Sequence, residues 1–110
     1  MSRRSLKVDL HGYDVLSALE LAETRVREAY EGGYSEVELL HGSARIETPI
    51  DEGRGRIKSE LRRMFDGGRF DQWADRSRSW PKAASLVLAL KPNPRPSRAH
   101  WSAPPRRRHR

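Results

Sequence analysis

The chain has 110 residues and a formal net charge of +7, all of it carried by the end: residues 1–90 hold 15 basic and 15 acidic side chains, and residues 91–110 hold 7 basic ones and no acid. A chain of this length forms one domain that buries about 60–65% of its unfolded surface, enough for a two-layer core and too little for a second domain. Cysteine is absent, so disulfide frameworks, thiol nucleophiles and thiolate metal sites are excluded. The longest apolar run, residues 86–90, falls far short of the roughly 18 that cross a bilayer, and residues 1–5 lack the apolar stretch of a signal peptide. A cytoplasmic protein with no membrane partner is the expectation. Of the 22 basic residues 18 are arginine, a bias that suits bidentate phosphate contacts and that genome composition also produces.

Leu6, Val8 and Leu10 alternate with Lys7, Asp9 and His11, the period-two pattern of a first strand with one buried face. After Gly12, Asp14 stands where a helix N-cap belongs. Val15, Ala18, Leu19, Ala22, Val26, Ala29 and Tyr30 then recur at helical spacing, and Gly32-Gly33 supplies the stop. Glu36-Val37-Glu38-Leu39-Leu40 repeats the alternation and ends at His41-Gly42. Strand, long helix and strand in that order predict a right-handed βαβ unit with two parallel strands.

Residues 43–52 have no period and read as a loop closing on Gly53-Arg54-Gly55. A second amphipathic helix follows, with Ile57, Leu61, Met64 and Phe65 on its buried side and Arg54, Lys58 and Arg62 forming a basic stripe. Gly67-Gly68 ends it. Residues 70–75 and 83–90 read as two further strands joined by a loop over 76–82. The tail, residues 91–110, contains five prolines, Trp101 and the cluster Arg106-Arg107-Arg108-His109-Arg110, a composition that predicts disorder.

Two His-Gly pairs, His11-Gly12 and His41-Gly42, end strands expected to be parallel neighbours. Ligand sites of open α/β sheets lie outside such carboxyl ends. Asp9 and His11 share a face, so a carboxylate can orient an imidazole that gives or takes a proton at neutral pH. The competing reading makes His11 a strand cap and Asp9 an acceptor for backbone donors. Gly53-Arg54-Gly55 opening a helix with Lys58 one turn in makes an anion site, through free amide donors, the positive helix end and two cations. Loop flexibility alone also explains those glycines. Arg106, Arg107 and Arg108 can hold any polyanion by counterion release.

These residues resemble a known family. Val8-Asp9-Leu10-His11-Gly12, an amphipathic helix, Val37-Glu38-Leu39-Leu40-His41-Gly42 and then Gly53-Arg54-Gly55-Arg56-Ile57-Lys58 opening a second helix are similar to the Smr (small MutS-related) domain over residues 5–90. The resemblance implies an α+β two-layer sandwich, βαβαββ, with two helices on one face of a mixed four-stranded sheet, like the C-terminal domain of translation initiation factor three. It also implies nucleic-acid binding and, in several members, endonuclease activity on DNA or RNA. Carried over by position, Asp9, His11 and Gly12 form the first motif, His41 and Gly42 the second, and Gly53, Arg54, Gly55 and Lys58 the helix start. The chain departs from the pattern at Ser43-Ala44, where a second glycine is usual, and in the extra residues 45–52.

The expected function is therefore nucleic-acid binding with phosphodiester cleavage. His11 oriented by Asp9 would deprotonate a 2′-hydroxyl, His41 or a water would protonate the leaving oxygen, and Arg54 and Lys58 would offset transition-state charge. No cofactor is required by this scheme. One strand-end Asp with two histidines could also hold a divalent ion such as Mg²⁺ or Mn²⁺, with Glu47, Asp51 or Glu52 as further ligands. The alternative is a binding module, associated with RNA or the ribosome, in which the same cations hold phosphate without chemistry.

Overall fold

A computed structural model of the chain describes residues 4–42 and 54–106, with only the backbone of 54 and 55. The two alternating segments are strands β1 (Ser5–Asp9) and β2 (Glu36–Leu40). They pair in parallel, with Val8 opposite Leu39 and Asp9 opposite Leu40. Helix α1 (Val15–Glu31) connects them, as the spacing of its small and aliphatic residues requires. Asp14 occupies its N-cap position, although its side chain makes no capping bond. Helix α2 (Arg54–Asp66) follows, and β3 (Ala74–Pro81) and β4 (Ser85–Leu90) complete the sheet.

The strand order is β1-β2-β4-β3, and β4 runs antiparallel to both neighbours. This is an α+β architecture with a mixed four-stranded sheet and two helices. Leu6, Val37 and Leu88 stand side by side in register, as do Val8, Leu39 and Leu86. Those rows share one continuous core with Leu21, Ala22, Val26 and Ala29 of α1 and Ile57 and Leu61 of α2. Burying each Leu, Ile or Val of this kind favours folding by about 1.5–3 kcal/mol, which is why alternation dictates which face meets the helices. No helix among the described residues is long and apolar enough to cross a membrane.

Two expectations need correction. Residues 70–73 are turns and not the start of a strand: Trp73 and Ala74 both donate backbone N–H groups to the Phe70 carbonyl. Phe70 and Trp73, three residues apart, are thereby both buried in the core. The segment expected as a loop, 76–82, is mostly strand β3. Its polar sequence suits an edge strand, where Pro81 costs no ladder bond and irregularity is tolerated. Between Asp75 and Trp80 its register against β4 shifts, and there the Ser79 hydroxyl accepts the Ala89 N–H at 2.9 Å.

The tail also departs from expectation. Residues 91–106 contain no helix or strand, yet they form a strap held against α1. Asn93 Nδ2 donates to the Tyr30 carbonyl at 2.9 Å and Ser97 N–H to the Glu31 carbonyl at 2.8 Å. Ser102 N–H donates to Glu28 Oε2 at 3.0 Å, and the Trp101 ring meets Tyr34 edge-on at 5.5 Å. Glu28 is buried, with Arg25 Nη1 at 2.7 Å. Burial would raise its carboxyl, but the bonds from Ser102 and Arg25 outweigh that and hold it below the ordinary carboxylate range. Arg107 and Arg108 of the expected basic cluster lie outside the described residues.

The strap fits because α1 ends in glycine. Gly33 has φ +81°, with Tyr34 N–H bonded to Ala29 O and Gly33 N–H to Tyr30 O, the paired bonds of a Schellman stop. A Cβ at Gly33 would lie 2.8 Å from Pro96 Cβ, whereas one at Gly42, φ +84°, would meet nothing within 4 Å. Both Gly33→Ala and Gly42→Ala therefore incur the left-handed cost of about 1–2 kcal/mol, and Gly33→Ala should be the more destabilising because the strap must also shift. Urea denaturation of the two variants checks this; equal destabilisation would mean that the approach of Pro96 contributes nothing.

Candidate functional site

The site is built where β1 and β2 end side by side. Asp9 is the last residue of β1, on the face opposite the core, and Gly12, in the turn that follows, has φ +82°. The Asp9 carboxylate accepts the backbone N–H of His11 at 3.0 Å and its ring Nδ1–H at 2.8 Å. With Nδ1 occupied as donor, the lone pair of a neutral His11 ring sits on Nε2, the nitrogen away from the carboxylate. The His11 side chain is 72% exposed and that of Asp9 48%. Such an oriented imidazole can exchange protons with a ligand that lies over the sheet edge. Nearby on the same face, Glu38 accepts from Ser85 Oγ at 2.6 Å and from Lys82 Nζ at 3.3 Å; the Ser85 bond, against burial, keeps its carboxyl below the ordinary range.

His41 goes the other way. It follows Leu39 by two residues and so shares the inner face, where it is only 5% exposed. Its Nδ1–H donates to the Gly42 carbonyl at 2.7 Å. Its Nε2 is buried and has no hydrogen-bond partner among the described residues. Burial lowers its pKa, and the positive charges of Lys58 and Arg62 on α2 lower it further, against the opposing Gly42 bond. Burial thus biases the His41 ring toward its neutral form, although the backbone of Gly42 and Ser85 opposes the shift. Arg62 adds a buried Nε that also lacks a partner among the described residues.

Thus the shared edge brings the sequence-predicted residues together in two groups and not one. Asp9, His11 and Gly12 lie on the outer side of the sheet end, and His41, Lys58 and Arg62 lie on the helix side; Gly42, which follows His41, has φ +84°. Arg54 and Gly55 open α2, and Gly53 lies outside the described residues, as do Glu47, Asp51 and Glu52. Among the described residues no three His, Asp or Glu side chains gather into a group that could hold a metal ion. Arg106 is exposed at the end of the strap.

Reading the sequence alone misses the strap's part in this edge. Trp101 and Pro104 line a groove of about 290 Å³ together with Leu6, Val8, Asp9 and Leu21, so the tail returns to the strand that carries the dyad. The only signal was a tryptophan in an otherwise polar, proline-rich stretch. Glu28, within the buried stripe of α1, was the corresponding signal on the helix.

The depressed His41 pKa has a sign that can be measured. The folded state holds this ring neutral, whereas the unfolded chain takes up a proton near pH 6.5. Its contribution to stability is complete above pH 6.5 and is lost as pH falls below it. Melting temperature followed from pH 7.5 to pH 5 should drop in the wild type and drop less in His41→Gln; parallel curves would mean that His41 is not held neutral.

Set against protein-family models, curated proteins and solved structures, the chain gives no match, and the site is read from its own residues and geometry.

Proposed function

We propose that this chain is an Smr-like, nucleic-acid-binding domain acting in the cytoplasm, and that it cleaves phosphodiester bonds of RNA or DNA with Asp9 and His11 as its proton-transfer pair. The observation that carries the reading is the 2.8 Å contact between Asp9 and His11 Nδ1 at the carboxyl end of a parallel strand. The order of the two His-Gly motifs and the basic start of α2 support it. On RNA, His11 Nε2 takes the proton of a 2′-hydroxyl, the 2′-oxygen attacks the adjacent phosphorus, and the 5′-oxygen leaves with a proton from water. The products are a 2′,3′-cyclic phosphate and a 5′-hydroxyl. On DNA the same nitrogen deprotonates a water whose oxygen bonds to phosphorus as the bond to one sugar oxygen breaks, and that oxygen leaves with a proton from a second water.

Lys58 and Arg62 hold a neighbouring phosphate on the helix side of the edge, assisted by the amide donors that open α2. His41 sits on that side and takes no part in the proton transfer; Arg62, whose Nη2 donates to the Lys82 carbonyl at 3.5 Å, meets the anion through its other N–H groups. A strand draped over the ends of β1 and β2 touches both groups, with successive phosphates on either side. The basic residues from Arg106 onward add affinity that is blind to sequence and falls with salt.

A second reading is favoured by the exposure of His11, since a site that does not exclude water gives up much of the electrostatic advantage of an enzyme. The same cations would then serve a binding module for RNA or the ribosome. Labelled single- and double-stranded RNA and DNA, each with magnesium or EDTA, separate the two. Asp9→Asn and His11→Ala should fold normally and lower cleavage by about 10²- to 10⁴-fold with little change in affinity. Background cleavage by wild type and both variants alike would leave the binding module.

The hold on phosphate makes a separate expectation. Lys58→Ala and Arg62→Ala should weaken binding and reduce its salt slope by about 0.7–0.9 for each phosphate left unneutralised. Arg27→Ala, which breaks only an exposed pair with Glu31 on α1, should leave both unchanged in fluorescence anisotropy titrations. Equal effects from all three would show that net charge alone decides.

A further inference from the structure

Asp9, one member of the dyad, lines the groove between β1, α1 and the strap. We propose that this groove receives one unpaired nucleobase of the bound strand, stacked on Trp101, in a strand that runs along β1 toward Asp9; the inference rests on the nucleic-acid reading above. Its volume of about 290 Å³ lies at the small end of ligand cavities, about 300–1,000 Å³. That is room for a single base and not for a duplex. Leu6, Val8 and Leu21 give it an apolar lining, with Trp101 and Pro104 on the strap side.

Trp101 is held ready for stacking. Its ring meets Tyr34 edge-on at 5.5 Å and 74°, and the Arg25 guanidinium lies 6.0 Å from its centroid. The Ser102 N–H bond to buried Glu28 fixes the backbone immediately after it. Even so, the Trp101 residue is 38% exposed. A ring immobilised in advance loses little freedom on binding, and aromatic stacking accepts any base.

Polar groups at the groove match a nucleotide as well. Leu10 N–H donates to Leu40 O, so strand alternation turns the peptide groups of Lys7 away from β2, toward the groove and a base edge. The Lys7 ammonium and Arg106 supply positive charge for the phosphates on either side. A second, larger groove among the described residues does not reach the dyad. It is lined by Ser5, Glu36, Arg78 and Trp80, and Asp9 is not among the residues that line it.

The test compares a fluorescein-labelled oligouridine ten-mer with an abasic ten-mer of the same sugar-phosphate length, read by anisotropy. Wild type should bind the base-bearing strand more tightly. Trp101→Ala should bind that strand about 5- to 150-fold more weakly and the abasic one as well as before, while Trp101→Phe retains most of the affinity. If Trp101→Ala fails to fold by circular dichroism, Trp80→Phe decides instead: its fluorescence, from Trp101 and buried Trp73, should be quenched by oligouridine and not by the abasic strand. Equal wild-type affinity for the two strands, an equal weakening on both, or no quenching overturns the proposal while leaving nucleic-acid binding intact. Absence of binding to either strand overturns both readings together.

Discussion

The parallel pairing of β1 and β2, with Asp9 opposite Leu40, is the constraint on which the rest of the molecule depends. Side chains alternate with period two, so this one register decides that Val8 and Leu39 meet the helices and that Asp9 faces outward. Because both strands end together, their His-Gly turns become neighbours without any contact between the histidines being required. A slip of one residue would bury Asp9 and expose Val8, and the core and the site would be lost at the same step. Fold and candidate chemistry share a single specification.

Much of this was legible in the chain. Leu6, Val8 and Leu10 announced β1, the helical spacing from Val15 to Tyr30 announced α1, and Ile57 and Leu61 placed α2. The placement of His41 was legible too, since it keeps the parity of Val37 and Leu39, but two identical His-Gly signatures invite a symmetric reading that the strands do not support. β3 was obscure for a physical reason: an edge strand with shifted register bonds through Ser79 and needs no alternating apolar residues. Phe70 and Trp73 looked strand-like by composition, although their three-residue spacing belongs to a turn of helix.

The strap was beyond local reading. Its anchors pair residues some 60 to 77 positions apart, Asn93 with Tyr30 and Ser102 with Glu28 and Arg25, and proline-rich, arginine-rich composition argues only that a segment cannot fold alone. Here it folds onto something else. Small residues at the end of α1 leave the space, a buried carboxylate offers the acceptor, and Trp101 brings apolar surface that a purely solvated tail would lack. A buried ion pair such as Arg25 with Glu28 gains little by itself, because desolvation offsets attraction; the added backbone donor from Ser102 is what completes the satisfaction of that carboxylate.

The strap also bears on the open edges of the sheet. An open sheet has two margins, each a row of peptide groups able to recruit a strand from another molecule. At the β3 margin, Pro81 and the register shift after Asp75 spoil the row. β1 is short and regular and has no such defect, yet any incoming strand must pass Trp101 and Pro104. Guarding that margin falls to a segment without secondary structure of its own, so the colloidal behaviour of the domain is tied to a few bonds around Glu28 and Gly33. Loosening them would uncover the β1 margin as a template for edge-to-edge pairing.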